Sequence, residues 1–177
     1  SPPTPIAGLA GLDLMHVAVA EDAACVSERG AGTGRGRVYC WGLGSEGQLA
    51  RPVDVTSREA LLATSNVPNT TAALVAGRAH VLVASGGATF GIYGWGANEA
   101  GQLGFDDPTP EVTMVQLNGE WSFNARALAA GDAFSCALEH TGRLTCWGSN
   151  AHGQLGPGGA RALNDHSPLS CTLVTSG

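Results

Sequence analysis

The five cysteines are the side chains of this 177-residue chain with the most evident capacity for chemistry. Cysteine and histidine together could hold zinc, but no Cys-x-x-Cys occurs and the five histidines are scattered along the chain. Structural zinc sites take their ligands from short, regular spacings. The sequence therefore predicts no metal site, and it leaves disulfide bonds or buried free thiols as the alternatives for the cysteines.

Three further patterns could indicate a catalytic or ligand site. No serine lies in a Gly-x-Ser-x-Gly nucleophile elbow. The glycine-rich run at 30–36 lacks the lysine of a phosphate-binding loop. The acidic group of Asp106, Asp107 and Glu111 does not have the ligand spacing of a calcium loop. The sequence consequently predicts no catalytic residue, no cofactor and no bound metal.

A repeated motif, called the Trp box below, supplies the framework in which the cysteines lie. It reads Trp-Gly and then Gly-Gln-Leu at one fixed offset, and it occurs as CWGLGSEGQL (40–49), GWGANEAGQL (94–103) and CWGSNAHGQL (146–155). The copies are about 50 residues apart, which is a period typical of repeat architectures. Each copy is therefore expected to be one packing module.

Short β-strands are predicted upstream of the boxes, where β-rich segments flank turns. The predicted strands are Leu12–Ala18, Ala72–Val75, Val81–Ala84, Phe90–Trp95, Ala127–Ala130, Ser135–Leu138 and Arg143–Trp147. No stretch has a convincing helical period. Three or four strands in each 50-residue unit predict an all-β fold made of propeller blades.

The cysteines of the third repeat lie on the two arms of one predicted hairpin. If Gly142 takes the left-handed position of a three-residue turn, Glu139 pairs with Arg143 and Cys136 lies directly opposite Cys146. Opposed residues of a non-hydrogen-bonded pair are about 4.5 Å apart at Cα. A disulfide bond can span that distance.

The first repeat has Cys25 and Cys40 at the same two positions, whereas the middle repeat has Leu82 and Gly94. The loss of both cysteines together favours disulfides over free thiols. Disulfides imply an oxidising compartment outside the cytoplasm, whether periplasmic, cell-surface or secreted. Cys171 is left to pair with a missing blade, with another chain or with nothing.

Residues 76–80 and 95–104 resemble the regulator of chromosome condensation repeat, whose consensus runs from Ala-Gly-x-x-His to Trp-Gly-x-Asn-x-x-Gly-Gln-Leu-Gly. The third copy has Phe134 in place of the histidine. The first copy departs most: Ala20 or Glu21 replaces the first Gly, Leu43-Gly44 replaces x-Asn, and Ala50 replaces the last Gly. The resemblance covers nearly the whole chain.

This resemblance implies a closed ring of seven blades, which at this period needs about 350–400 residues. The three boxes predict part of a larger propeller, either a fragment of a longer polypeptide or a piece that other chains complete. The predicted repeats cover about 5–51, 52–104 and 105–156, and 157–177 is the start of a further repeat.

The recurring residues are expected to be structural. The tryptophan provides a rigid surface for the seam between blades, the glycine permits a turn, the glutamine satisfies backbone groups of that turn, and the leucine fills the seam. The histidine of the repeat is expected to hydrogen-bond within its blade. These residues are Trp41, Trp95, Trp147, Gly42, Gly96, Gly148, Gln48, Gln102, Gln154, Leu49, Leu103, Leu155 and His80.

Composition restricts the class of partner. The formal net charge is −6, with nine basic residues that are all arginine, and this acidity argues against nucleic acid as the partner. No run of 18 apolar residues is present, so we expect no membrane insertion. Arginine without lysine, together with heavy use of alanine and glycine, suggests a bacterial source with a GC-rich genome.

We therefore expect a non-enzymatic scaffold, an extracytoplasmic propeller that binds another protein or the blades or copies that complete its ring. The resemblance implies further roles for the same fold: guanine-nucleotide exchange on a small GTPase with chromatin docking, inhibition of a β-lactamase, and generic interaction repeats. Net acidity and the expected disulfides argue against the nuclear role. A structural subunit of a surface or multi-chain assembly, an enzyme inhibitor and an exchange factor are the alternatives.

Overall fold

The computed structural model describes residues 4–29, 37–51, 55–62, 71–86, 91–104, 113–114, 124–156 and 169–171. In these ranges the chain forms strands joined by turns. The strands are β1 (Leu14–Val19), β2 (Ala23–Glu28), β3 (Val38–Gly42), β4 (Ser57–Leu62), β5 (Thr71–Ala76), β6 (His80–Ser85), β7 (Gly91–Gly96), β8 (Thr113–Met114), β9 (Ala125–Ala130), β10 (Phe134–Glu139), β11 (Leu144–Gly148) and β12 (Leu169–Cys171). The predicted all-β fold is confirmed.

The strands form antiparallel sheets of four strands, in the orders β1-β2-β3-β4, β5-β6-β7-β8 and β9-β10-β11-β12. Each strand pairs with its neighbour in the chain, which is the arrangement of a propeller blade. We call the sheets the first, second and third blades. The strands predicted from the sequence occupy the first three positions of these blades.

The fourth strand of each blade lies beyond its Trp box. β4 falls in the predicted repeat 52–104, β8 in 105–156 and β12 in 157–177. Each blade thus takes its outermost strand from the sequence that follows the box. Blade and sequence repeat are offset by one strand.

The hydrophobic core lies between the blades. The innermost strands β1, β5 and β9 are adjacent in that order, and an apolar cluster fills each of the two seams. The first seam contains Cys25, Cys40, Leu49, Leu74, Val81, Val83 and Trp95. The second contains Leu82, Ile92, Leu103, Ala137 and Trp147. Because each sheet buries its apolar side chains against the next sheet, the blades stabilise one another.

The strand register of the third blade agrees with the hairpin prediction. Gly142 has a φ of 87°, and the Glu139 N–H donates to the Arg143 carbonyl oxygen at 2.8 Å. Cys136 then lies opposite Cys146. A three-residue turn that ends on a left-handed glycine therefore fixes which side chains face each other.

Candidate interaction site at the blade seams

Each Trp box ends the third strand of its blade in a turn that the box itself closes. Gly42, Gly96 and Gly148 follow the tryptophan with φ values of 111°, 100° and 101°, a region that favours glycine. Farther along, the glutamine side chain accepts a hydrogen bond from the backbone N–H two residues earlier. These bonds run from Glu46 to Gln48 (2.8 Å), from Ala100 to Gln102 (2.9 Å) and from His152 to Gln154 (2.8 Å).

The backbone of the same glutamine connects one blade to the next. The indole N–H of Trp95 donates to the Gln48 carbonyl oxygen at 3.0 Å, and that of Trp147 donates to the Gln102 carbonyl oxygen at 2.9 Å. Trp95 lies in the second blade and Gln48 in the box of the first, so each bond crosses a seam. Buried indole N–H groups need such an acceptor. The Trp box is therefore a joint between blades as well as a turn.

His80 takes part in a second connection across the seam between the second and third blades. Its Nε2 lies 2.9 Å from the Ser135 hydroxyl, and that hydroxyl donates to the Gln102 carbonyl oxygen at 2.9 Å. Because the hydroxyl proton is already donated, Nε2 must carry the ring proton. The expectation that this histidine bonds within its own blade is wrong, since Ser135 lies on β10 of the next blade.

Burial governs the protonation of His80. The residue is fully buried, and its Nδ1 has no hydrogen-bond partner. Desolvation lowers the pKa of His80 to about 4, and the negative charge of Asp132 opposes this shift only in part. The imidazole is consequently neutral at pH 7, when its one proton lies on the nitrogen that bonds to Ser135.

The glycine three residues before this histidine is required by close packing. A Cβ atom on Gly77 would overlap His80 Cε1 and the Gly131 carbonyl oxygen. A Cβ atom on Gly131 would overlap the ring of Phe134 in the same way. In the first blade, Ala20 replaces the glycine and Ala23 replaces the ring-bearing residue three positions later. The two departures from the repeat are therefore coupled, because a ring at the second position excludes a side chain at the first.

The first and second blades fill equivalent spaces with different pairs of residues. The first blade uses a cysteine pair in the first seam, and the second blade uses a leucine and a glycine in the second seam. Cys25 and Cys40 lie at disulfide distance with Cα atoms 4.1 Å apart, and they are buried against the second blade. Leu82 and Gly94 are paired at the corresponding positions of the second blade. A Cβ atom on Gly94 would lie 2.8 Å from Leu82 and 2.9 Å from Leu103. Each of these spaces therefore holds either two cysteine side chains or one leucine opposite a glycine.

The other cysteines lie at the far side of the third blade. Cys136 and Cys146 are at disulfide distance, with Cα atoms 4.0 Å apart. They occupy the face of the third blade that points away from the second, so no blade among the described residues covers them. Cys171 belongs to β12, and its side chain lies outside the described part of the structure.

The arc of three blades has two end faces against which no blade among the described residues packs. The face of the first blade that points away from the second, called the first end face, consists of Val17, Val19, Ala24, Val26, Tyr39 and Trp41. Val17 and Val19 are 66% and 71% exposed. Their counterparts in the second blade, Leu74 and Ala76, pack against the first blade. Val26 and Tyr39 of the same face are 5% and 9% exposed. The first end face therefore has the composition of a seam, with its exposed apolar part on β1.

The opposite side of the third blade forms the last end face. It consists of Ala127, Ala129, Phe134, Cys136, Cys146 and Leu155. Its counterparts in the first blade, among them Ala18, Cys25 and Cys40, are buried against the second blade. The end faces are the two halves of one type of seam, and they are the candidate interaction surfaces.

The described residues do not form a candidate metal centre. Among them, no group of three or more His, Cys, Asp or Glu side chains is close enough to hold a metal ion. The same part of the chain contains no helix of the length and apolarity needed to cross a membrane. The glycine-rich run 30–36, the acidic group of Asp106, Asp107 and Glu111, and His166 lie outside the described ranges.

Comparison with known sequences identifies the repeat. Models of the regulator of chromosome condensation (RCC1) repeat match residues 91–138 and 125–154. The chain is 31% identical over 125 residues to the human X-linked retinitis pigmentosa GTPase regulator, covering 70% of this chain and 12% of that protein. It is 33% identical over 122 residues to the human probable E3 ubiquitin-protein ligase HERC4, covering 67% of this chain and 11% of that protein. The chain thus spans only about an eighth of the length of these relatives.

Solved structures show the same fold. Prp20p from Saccharomyces cerevisiae, characterised for its binding to Gsp1p and histones, superposes with a TM-score of 0.70 at 17% identity over 96% of this chain and 41% of its own. Human WBSCR16 superposes with a TM-score of 0.68 at 19% identity over 89% of this chain and 37% of its own. The sheets are therefore blades of a β-propeller.

Proposed function

The chain belongs to the regulator of chromosome condensation repeat family, and we propose that it is a non-enzymatic scaffold that binds other proteins through its propeller surfaces. The observation that carries the proposal is the use of the recurring residues. The glutamines, Leu49, Leu103, His80 and two of the tryptophans are occupied by turns and seams. The end faces have accessible apolar surface at Val17, Val19, Ala127 and Ala129, which suits binding to a protein.

We also propose that the three blades are one arc of a ring of seven. Blades of this type bury apolar faces on both sides, whereas the first and third blades each pack against a described blade on one side only. The blades that complete the ring would come from a longer polypeptide or from other chains. Nucleic acid and membrane insertion are not part of the proposal, because the net charge is −6 and the two most exposed large apolar side chains among the described residues, Val17 and Val19, lie on the first end face.

An extracytoplasmic location completes the proposal, with the two cysteine pairs as its support. Intact mass spectrometry of the purified protein, before and after reduction, tests it. Two disulfides would raise the mass by four hydrogens on reduction, and alkylation without reductant would label only Cys171. Five thiols that react without reductant, in protein kept under its natural redox conditions, would contradict the location.

Site-specific crosslinking tests the scaffold. The chain has no lysine, so a lysine introduced at one position gives an amine-reactive crosslinker a single reactive side chain besides the N-terminus. Val19→Lys places it on the first end face, and Arg58→Lys places it on the exposed outermost strand of the same blade. We expect the Val19→Lys protein to become linked to another polypeptide in an extract of its source, and the Arg58→Lys protein to show much less of that product. The absence of an adduct from Val19→Lys would contradict binding through the end face.

Regulation of a small GTPase is a second candidate. Its support is the similarity to the X-linked retinitis pigmentosa GTPase regulator and the shared fold with Prp20p, which binds Gsp1p. Release of labelled GDP from Gsp1p, measured with and without the chain, tests this role directly. An unchanged release rate at saturating chain would remove exchange on this class of GTPase from consideration.

A further inference from the structure

The two internal seams have the same architecture, but only the first encloses a cysteine pair. Cys25 on β2 lies directly opposite Cys40 on β3, and the two are at disulfide distance. They are 1% and 0% exposed, and they belong to the apolar cluster that the first and second blades share. The disulfide bond is therefore shielded from solvent as long as the first seam is closed.

The size of this pair matches the space that the fold leaves for it. A disulfide-bonded pair has as many side-chain heavy atoms as a leucine opposite a glycine. Leu82 and Gly94 fill the equivalent space of the second blade, where a Cβ atom on Gly94 would already lie 2.8 Å from Leu82 and 2.9 Å from Leu103. Interiors packed this closely accept added volume only if a neighbour is displaced.

Reduction enlarges the space that the cysteine pair needs. A thiolate of a dithiol attacks one Sγ and forms a mixed disulfide while the other Sγ leaves as a thiolate, and the second thiol of the dithiol then displaces the remaining cysteine. The dithiol loses two electrons and two protons and becomes a disulfide, whereas Cys25 and Cys40 become thiols. Sulfur atoms that are no longer bonded cannot stay at bonding distance. Since both positions are buried, the extra space has to come from displacement of the second blade.

We infer that the first seam is redox-gated: reduction of Cys25–Cys40 by a dithiol loosens the packing of the second blade against the first, and reoxidation restores it. The pair Cys136–Cys146 has no such effect on either internal seam, because it lies on the face of the third blade that points away from the second. The inference goes beyond the scaffold function and does not depend on it, since it concerns a seam inside the arc.

The first seam also has a polar end, where β1 begins. His16 Nδ1 lies 2.8 Å from the hydroxyl oxygen of Ser27, at positions that hold alanine in the second blade. On the facing strand β5, the Thr71 hydroxyl is buried and has no hydrogen-bond partner among the described residues. Opening of this end returns that hydroxyl to water, which lowers the cost of opening. The first seam is therefore expected to loosen from this end.

Hydrogen bonds that cross the seams provide matched probes of the two. In the first seam, the Glu21 N–H donates to the Arg78 carbonyl oxygen at 3.0 Å; in the second, the Arg78 N–H donates to the Asp132 carbonyl oxygen at 3.1 Å. The indole N–H groups of Trp95 and Trp147 cross the first and the second seam, respectively. We call the N–H groups of Glu21 and Trp95 the first-seam probes, and those of Arg78 and Trp147 the second-seam probes.

Hydrogen exchange followed by NMR, in the oxidised chain and in dithiothreitol, tests the inference. We expect reduction to accelerate exchange of the first-seam probes about tenfold or more and to leave the second-seam probes within about twofold, because only the first seam opens more often. Intact mass verifies the reduction. C136A/C146A, which keeps only the first disulfide, should respond as the unmodified chain does.

C25L/C40G is the matched control, since it reproduces the pair that the second blade uses, and its exchange rates should not respond to dithiothreitol. Cys40→Ser leaves a thiol and a hydroxyl unbonded without any reductant, so the test does not require that dithiothreitol reach the buried bond. This variant should show fast exchange of the first-seam probes alone, with far-UV circular dichroism to verify its fold.

Three results would overturn the inference. One is unchanged exchange of the first-seam probes in the fully reduced chain or in folded Cys40→Ser. Another is equal acceleration in both seams, which would show a general loss of stability. The last is a response of C25L/C40G to dithiothreitol, which would assign the effect to the cysteines of the third blade.

Discussion

The three box tryptophans offer a graded test of the seam, because the same residue occupies equivalent positions with different coverage. Trp95 and Trp147 are 0% and 3% exposed, and each donates to a carbonyl oxygen of the preceding blade. Trp41 is only partly buried and lies on the first end face. Substitution by alanine therefore removes a complete seam contact at two positions and a partial one at the third.

The magnitudes follow from burial and hydrogen bonding. Trp95→Ala should cost about 3–5 kcal/mol, because a large buried side chain is lost and a cavity is left. The Gln48 carbonyl oxygen also loses its donor, which costs about 1–3 kcal/mol if no water replaces it. Trp41→Ala removes less buried area and no hydrogen bond, so we expect about 1 kcal/mol. For a chain of this size, each kcal/mol corresponds to about 2–4 °C in Tm.

Urea unfolding of the three variants, followed by far-UV circular dichroism, measures these differences. The free energy of unfolding should fall most for Trp95→Ala and Trp147→Ala and least for Trp41→Ala. Trp95→Phe is the matched control, since it keeps an aromatic ring and loses the indole N–H; it should lie between Trp95→Ala and the unmodified chain. Equal losses at Trp41 and Trp95 would refute the assignment of the tryptophan to the seam.

Three further predictions concern the second blade. The pKa of His80 is lowered from 6.5 to about 4 in the folded state, so its contribution to stability is fully present above pH 6.5 and declines by about 3 kcal/mol as the pH falls to 4. His80→Phe, which imitates the third blade, should remove this part of the pH dependence of the free energy of unfolding, measured by urea titration. An unchanged pH profile in this variant would contradict the prediction. Gly77→Ala should destabilise the chain by about 1–3 kcal/mol, because the new methyl overlaps His80 and the Gly131 carbonyl oxygen. Gly86→Ala is the control, since its new methyl would meet only Ala72 at 3.5 Å, and it should change Tm little. Similar Tm shifts in the two variants would show that the surrounding residues move without cost to accommodate a methyl at Gly77. The double variant L82C/G94C should form a third disulfide, seen as two further hydrogens gained on reduction, while Gly94→Cys alone should destabilise; free thiols in the double variant would show that the pairs are not interchangeable.

The features that the sequence predicted correctly are local. The hairpin register of the third blade depends on one left-handed glycine, Gly142, and on a turn of three residues. The box turn likewise lies within about ten residues, and it is described by its glycines, its glutamine and, in the second and third copies, an asparagine whose side chain accepts from the leucine N–H. Repetition strengthened both predictions, because three copies can be aligned and their differences compared.

The contacts that the sequence did not predict cross from one blade to another. Ser135, the partner of His80, is 55 residues away, and the equivalent positions hold Ala24 and Val81, so no repeated pattern marks it. The acceptor role of the Gln48 carbonyl is also absent from any pattern, because a backbone group has no letter in the sequence. Both depend on how neighbouring sheets are oriented, which is set by packing over many residues.

Three loop charges at one repeat position are an intermediate case: Arg78 lies 2.9 Å from the Asp132 carboxylate in the third blade and 3.8 Å from the Glu21 carboxylate in the first. Glu21, Arg78 and Asp132 occupy one repeat position, so the alignment of Ala20, Gly77 and Gly131 already brings them into register. A repeat position that holds the same residue in each copy describes the fold, since every seam needs that residue. A position whose charge alternates from blade to blade describes the order of blades instead, because opposite charges must be adjacent. In a propeller arc the seam residues therefore determine that blades pack, and the variable loop charges determine which blade packs against which.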